Sequence, residues 1–248
     1  MIWTSERNRQ QGQLVAEIYR DASAVPCERL AIIAGGLPGD KIVVKANFVH
    51  PDPGIGSGRG DFALFVGRLA EEKGIGTLLA AWSRLSVKPK LKIIGDGPLA
   101  STVANAAATT REIEWLGSRS REEVSRAMSE ATVLIVPSTW CEAFGLVVAE
   151  AFAAGLPVIA SRLGSIEQLV SDGVTGRLFA AGDPTSLASA VRWAFWHPEE
   201  LKGMRTCARA EYERKYTAEA NYTQLIDIYE AAMGSCPVAL RLQQSAAV

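Results

Sequence analysis

Four charged residues stand where they could do chemistry: Arg68, Lys73, Glu142 and Glu150. Arg68 and Lys73 fall in GRLAEEKG (67–74), directly after the apolar run FALFVG (62–67). If that run is a strand of an open parallel sheet, Arg68 lies just past its C-terminal end, where such sheets place ligands, and Lys73 opens the next helix. Two cations beside helix N–H groups make an anion site. The residues alone leave a second reading open, two solvated surface charges. Glu142 and Glu150 belong to PSTWCEAFGLVVAEAFAAGLPVIAS (137–161). Glu142 sits in the loop beyond the run TVLIVP, and Gly145 is placed to open the following helix. The N–H groups of Phe144, Gly145 and Leu146 would then be helix-start donors facing the strand-end cleft. An ionised carboxylate accepts two hydrogen bonds from a diol, which suits sugar or ribose hydroxyls. The alternative for Glu142 is an ordinary helix N-terminal acid, and for Glu150 a surface acid. Glu150 is flanked by Val147, Val148, Ala149, Ala151 and Phe152, and a charge on so apolar a helix calls for a partner.

The elements that must position these residues are legible from about residue 62. FALFVG (62–67), LKIIG (91–95), EIEWLG (112–117), TVLIVP (132–137) and PVIAS (157–161) are short apolar runs without helical period. Between them GIGTLLAAWSRL (74–85), PLASTVANAAATT (98–110), SREEVSRAMSEA (120–131) and a segment from about Gly145 to Ala154 have helical spacing. Ser120 with Glu123 three residues on is a capping-box signature. Strand–helix alternation with continuously apolar strands predicts a doubly wound α/β domain, a parallel sheet covered on both faces. Three further helices follow, over 183–196, 198–216 and 217–233. Residues 1–61 differ: one or two helices, a strand at KIVVKANF (41–48), and HPDPGIGSGRG (50–60), whose glycines and prolines read as a flexible linker.

Composition narrows the function. The 248 residues are 48% hydrophobic and 21% charged, enough for a substantial core. Lys plus Arg (26) nearly balances Asp plus Glu (27), so the chain lacks the basic excess of a nucleic-acid binder. Cys27, Cys141, Cys207 and Cys236 are scattered, and with His50 and His197 they form no metal-ligand spacing. Reduced thiols, a polar N-terminus without a signal-peptide core and no apolar run near about 20 residues predict a cytoplasmic chain. The glycine string at 54–60 precedes a strand instead of following one, so it is not a dinucleotide fingerprint, and GxxxxGK[ST] is absent.

FVGRLAEEKG, IIGDGPL, IEWLG, the pair Glu142 and Glu150 eight residues apart, GLPVIAS and EQLVSDGVTGRLF occur in register over about residues 41–233. In these motifs the sequence resembles the C-terminal, donor-binding half of the two-domain (GT-B) retaining glycosyltransferases, family 4 or group 1. The resemblance implies a Rossmann-like GT-B C-terminal domain with extra C-terminal helices, and a nucleotide-diphosphate sugar as donor. Arg68 and Lys73, next to Gly67, would hold the diphosphate. Glu142 with the backbone at Phe144, Gly145 and Leu146 would bind the sugar, Glu150 the ribose, and Leu116 and Gly117 would border the base. Arg68, Lys73 and Glu142 are the catalytic set, without metal or other cofactor. The family's N-terminal acceptor domain is represented only by a remnant at 1–49, so the resemblance implies a second chain supplying that domain or a truncated gene product. A non-catalytic nucleotide-sugar-binding module is the alternative. Peripheral membrane association stays open. The expected organisation is remnant 1–49, linker 50–61, nucleotide-sugar domain 62–196, C-terminal helices 197–233 and tail 234–248.

Overall fold

The computed structural model describes residues 35–38, 42–142 and 144–233. Expectations for 1–34, 39–41 and the tail 234–248 lie outside the described residues. Six strands form one parallel sheet in the order β3-β2-β1-β4-β5-β6: β1 (Phe62–Val66), β2 (Lys90–Ile94), β3 (Ile113–Gly117), β4 (Val133–Val136), β5 (Val158–Ser161) and β6 (Gly176–Phe179). The chain runs outward from β1 to β3, then returns to lay β4 against β1, with Ala63 beside Val133 and Leu64 beside Leu134. The junction of β1 and β4 is therefore the point where the winding reverses.

Strand side chains alternate between two cores. Ala63, Phe65, Leu91, Ile93 and Ile135 face a layer built from α1 (Ile75–Arg84), α2 (Ala100–Thr109) and α6 (Pro184–Trp196). Phe62, Leu64, Ile94, Leu134 and Val136 face α3 (Arg121–Glu130), α4 (Leu146–Ala153) and the later turns of α7 (Pro198–Lys215). Both faces are buried, which is why the strands read as unbroken apolar runs. Helix starts follow local chemistry. Ser120 and Glu123 close a capping box on α3, Asp183 accepts from the Thr185 amide at 2.8 Å at the start of α6, and Thr217 caps α8 (Ala218–Ala232). The short helix α5 (Gly164–Leu169) and β6 were not predicted as elements.

Two expectations for the region before β1 are corrected. Residues 42–48 form no strand. Instead the carbonyl of Ala46 accepts from the Asn221 side chain at 2.6 Å, and Lys45 donates to Asn221 at 2.6 Å, so this stretch is held by α8. Nor is 50–60 a free linker. Its amides at Gly56, Gly58 and Gly60 donate to the carbonyls of Ala154, Ser129 and Glu130 at 2.8–3.0 Å. Arg209 on α7 clamps it further, donating to both carboxylate oxygens of Asp52 at 2.7 and 2.6 Å. No helix among the described residues is long and apolar enough to cross a membrane.

Candidate functional site

The winding reverses between β1 and β4, and the C-terminal ends of strands at such a reversal are where open α/β sheets form their ligand crevice. The loop after β1 carries Gly67, Arg68 and Lys73, and the loop after β4 carries Glu142. Across the crevice Lys73 Nζ meets Glu142 Oε2 at 2.9 Å. The second carboxylate oxygen, Oε1, accepts from the hydroxyl of Ser138, which is 2% exposed. The Ser165 hydroxyl donates to the Glu142 carbonyl at 2.5 Å. Glu142 is thus fixed at its carboxylate from two sides and at its backbone.

The two loops are joined by backbone as well. Thr139 donates from its amide to the Glu72 carbonyl at 2.9 Å and from its hydroxyl to the Glu71 carbonyl at 3.1 Å. Gly74, with φ +71°, starts α1 in the left-handed region, and a Cβ there would lie 1.8 Å from the Pro137 carbonyl oxygen. Behind the β1 loop, Gly95 lies so close that a Cβ would meet the Gly67 oxygen at 1.9 Å. Leu69 donates to the Asp96 carbonyl at 2.9 Å. The glycines of IIGDGPL therefore let two strand-end loops touch through backbone.

The other expected residues fall as follows. Arg68 is exposed on its loop, while Lys73 is half-buried, so the two cations differ in setting. Gly145, in the left-handed region with φ 79°, opens α4 without a side-chain cap, leaving the helix-start amides to whatever occupies the crevice. Phe144 does not line the cleft with its ring: it is 4% exposed and packs edge-on to Tyr216, centroids 5.9 Å apart. Leu146 is 43% exposed. Glu150 is half-buried on α4, and burial pushes its carboxyl above the ordinary value, opposed by the charge of Arg121. Among the described residues its carboxylate makes no hydrogen bond or ion pair, so the partner expected for it is a distant charge and not a contact. Leu116 and Gly117 end β3, two strands from β1 and about 10 Å away at the usual spacing. Leu116 borders a shallow groove of about 180 Å³ with Lys92, Ile94 and Arg119, along the β2–β3 side and not including Lys73 or Glu142. Sequence reading missed Ser138, Thr139 and Ser165. No spacing signal marks them, because each acts through a loop contact.

A doubly wound parallel sheet with a cation and a carboxylate meeting at its reversal point, beside a helix start without a side-chain cap, is a Rossmann-like domain. Its relatives narrow that class. The family model of the group 1 glycosyl transferases matches residues 55–211, and the chain belongs to that family. An uncharacterised glycosyltransferase of Methanocaldococcus jannaschii is 31% identical over 193 residues, 77% of this chain and 54% of that protein. A phosphatidyl-myo-inositol mannosyltransferase of Mycobacterium leprae is 33% identical over 180 residues, 71% of this chain and 48% of that protein. The chain spans about half the length of these curated relatives. Among solved structures, Anabaena HepE in complex with UDP and glucose shares the fold with a TM-score of 0.75 at 19% identity, over 84% of this chain and 62% of that one.

Proposed function

We propose that this chain binds a nucleotide-diphosphate sugar and serves its transfer, with retention, to an acceptor hydroxyl. The observation that carries the reading is the Lys73–Glu142 pair at the reversal of the sheet, beside the start of α4. Arg68 and Lys73 would hold the diphosphate together with the amides that open α4. Glu142 would take the sugar hydroxyls, Glu150 the ribose, and Leu116 and Gly117 the edge of the base. The spacing of about 10 Å between the ends of β3 and β1 suits a nucleoside reaching from its diphosphate. HepE, solved with UDP and glucose, supports a uridine donor as one candidate among the bases.

In the transfer, the bond between the sugar's anomeric carbon and the diphosphate oxygen breaks, and one to the acceptor oxygen forms on the same face. The acceptor's proton passes to the leaving phosphate. No nucleophile on the chain is required, and the charge developing on the diphosphate is met by Arg68, Lys73 and the helix-start amides. One such donor is worth roughly 3–4 kcal/mol in the transition state. The reading calls for no metal. It does call for an acceptor-binding domain beyond the described residues, either elsewhere in the polypeptide or on a second chain. The scattered cysteines favour a reducing, cytoplasmic setting.

Calorimetric titration with UDP, GDP and ADP, each with and without an attached hexose, tests the donor site. Binding of one diphosphate, strengthened by the hexose, is the expected result. No binding by a folded chain overturns the reading.

A further inference from the structure

The two residues read as holding different parts of the donor hold each other. Lys73, read as the diphosphate's partner, is paired with Glu142, read as the sugar's partner, at 2.9 Å. A diphosphate carries more charge than one carboxylate and competes for Lys73 directly. If a diphosphate draws Lys73 away, Glu142 keeps a side chain that is only 16% exposed, and another group has to keep its carboxylate aimed. Ser138 is placed to do so. Its hydroxyl is buried, has one proton to give, and gives it to Glu142 Oε1, leaving Oε2 to accept from a ligand. The frame behind it is fixed: Thr139 is tied to the carbonyls of Glu71 and Glu72, and Ser165 holds the Glu142 carbonyl.

We propose that Ser138 is a positioning residue for the donor sugar, holding the Glu142 carboxylate while Lys73 passes from Glu142 to the diphosphate. This rests on the donor-site reading above. It carries a consequence of its own. A nucleoside diphosphate without sugar takes Lys73 from Glu142 and gives the carboxylate nothing in return, whereas the nucleotide sugar replaces the lost cation with a hydroxyl at Oε2. The affinity gained by attaching the hexose therefore depends on Ser138.

The test measures the ratio of Kd for the nucleoside diphosphate to Kd for the corresponding nucleotide hexose, by calorimetry, using whichever of UDP, GDP or ADP the wild type binds. Ser138→Ala is expected to lower that ratio about tenfold, the loss falling on the hexose-bearing ligand. Ser138→Thr, which keeps the hydroxyl, restores it. Thermal melting checks folding, and if Ser138→Ala does not fold, Ser138→Cys keeps the volume with a weaker donor and carries the same expectation in smaller degree. An unchanged ratio, or an equal loss for both ligands, overturns the role of Ser138 and leaves the donor site standing. A wild type that binds no diphosphate, or gains nothing from the hexose, overturns the donor-site reading and this inference with it.

Discussion

Gly74 is the position at which one methyl group should disturb stability and binding together. It joins the loop after β1 to the loop after β4: its φ is +71°, and a Cβ would lie 1.8 Å from the Pro137 carbonyl oxygen. Gly74→Ala incurs a left-handed conformation, about 1–2 kcal/mol for a residue with a Cβ. It also forces a backbone clash, and overpacking of this kind costs about 1–3 kcal/mol after relaxation. Together these give about 2–5 kcal/mol, a fall in Tm of roughly 4–20 °C for a domain of this size. The relief must come from moving Lys73 or Pro137 by more than an ångström, since carbonyl oxygen and methyl carbon need over 3 Å. Lys73 is the adjacent residue, and misplacement of about 1 Å in a positioned group can lose 10²-fold in function. Gly76→Ala is the internal control. Gly76 lies in α1, and nothing lies within 4 Å of its added Cβ. The alanine should stabilise the helix by about 0.5–1 kcal/mol and leave ligand affinity unchanged. Differential scanning calorimetry and nucleotide titration on both variants read the contrast. A Gly74→Ala protein with wild-type Tm and affinity would refute the close approach of the two loops, and with it the geometry of the site.

Arg68→Ala should weaken a nucleoside diphosphate about tenfold while leaving the bare nucleoside unchanged; equal loss for both ligands refutes its assignment to the diphosphate. Glu150→Gln tests a pH effect. Burial raises the Glu150 carboxyl, so the folded chain holds this proton more tightly than the unfolded chain does, and stability falls as pH rises from the unfolded value through the folded one. The glutamine should therefore raise Tm more at pH 7 than at pH 4, and an equal shift at both pH values refutes the burial account. Arg209→Ala removes the charged bonds to Asp52, Glu213 and the Ala153 carbonyl. It should cost about 2–3 kcal/mol and expose residues 50–60 to limited proteolysis, and unchanged cleavage would contradict the clamp.

What the sequence disclosed and what it hid divide along a physical line. Patterns that report burial were legible. VLIV and VIAS announce strands covered on both faces because every residue in them is buried, and Ser120 with Glu123 announces a helix start because the cap is local. Patterns that depend on a partner were not. KIVVKANF has a strand's composition, but its carbonyl at Ala46 is met by an Asn221 side chain instead of a neighbouring strand. β6, GRLF, gives no such signal because an edge strand is only partly covered, and its Arg177 sets its guanidinium over the Trp193 ring, 4.3 Å from the centroid. The glycines at 56, 58 and 60 signal close approach and not slack, their amides being bonded to three carbonyls of the domain.

The site divides in the same way. Arg68, Lys73, Glu142 and Glu150 stood out by type and by their places at predicted strand ends. Nothing in a linear sequence says that Lys73 and Glu142 touch, or that a buried serine four residues before the glutamate holds its other oxygen. Those contacts exist because the sheet reverses between β1 and β4, bringing two loops distant in sequence to one crevice, and because Gly74 lets them meet through backbone. A cation and a carboxylate facing each other across such a crevice can each be satisfied in two ways: by one another, or by a ligand that offers anionic oxygens to one and hydroxyls to the other. A nucleotide sugar offers both at once, and a bare diphosphate offers only the first. On the proposed reading, coupling between the two halves of the donor follows from the loop geometry, and it should weaken in any variant that separates the loops, Gly74→Ala included, even where the residues that touch the ligand are all retained.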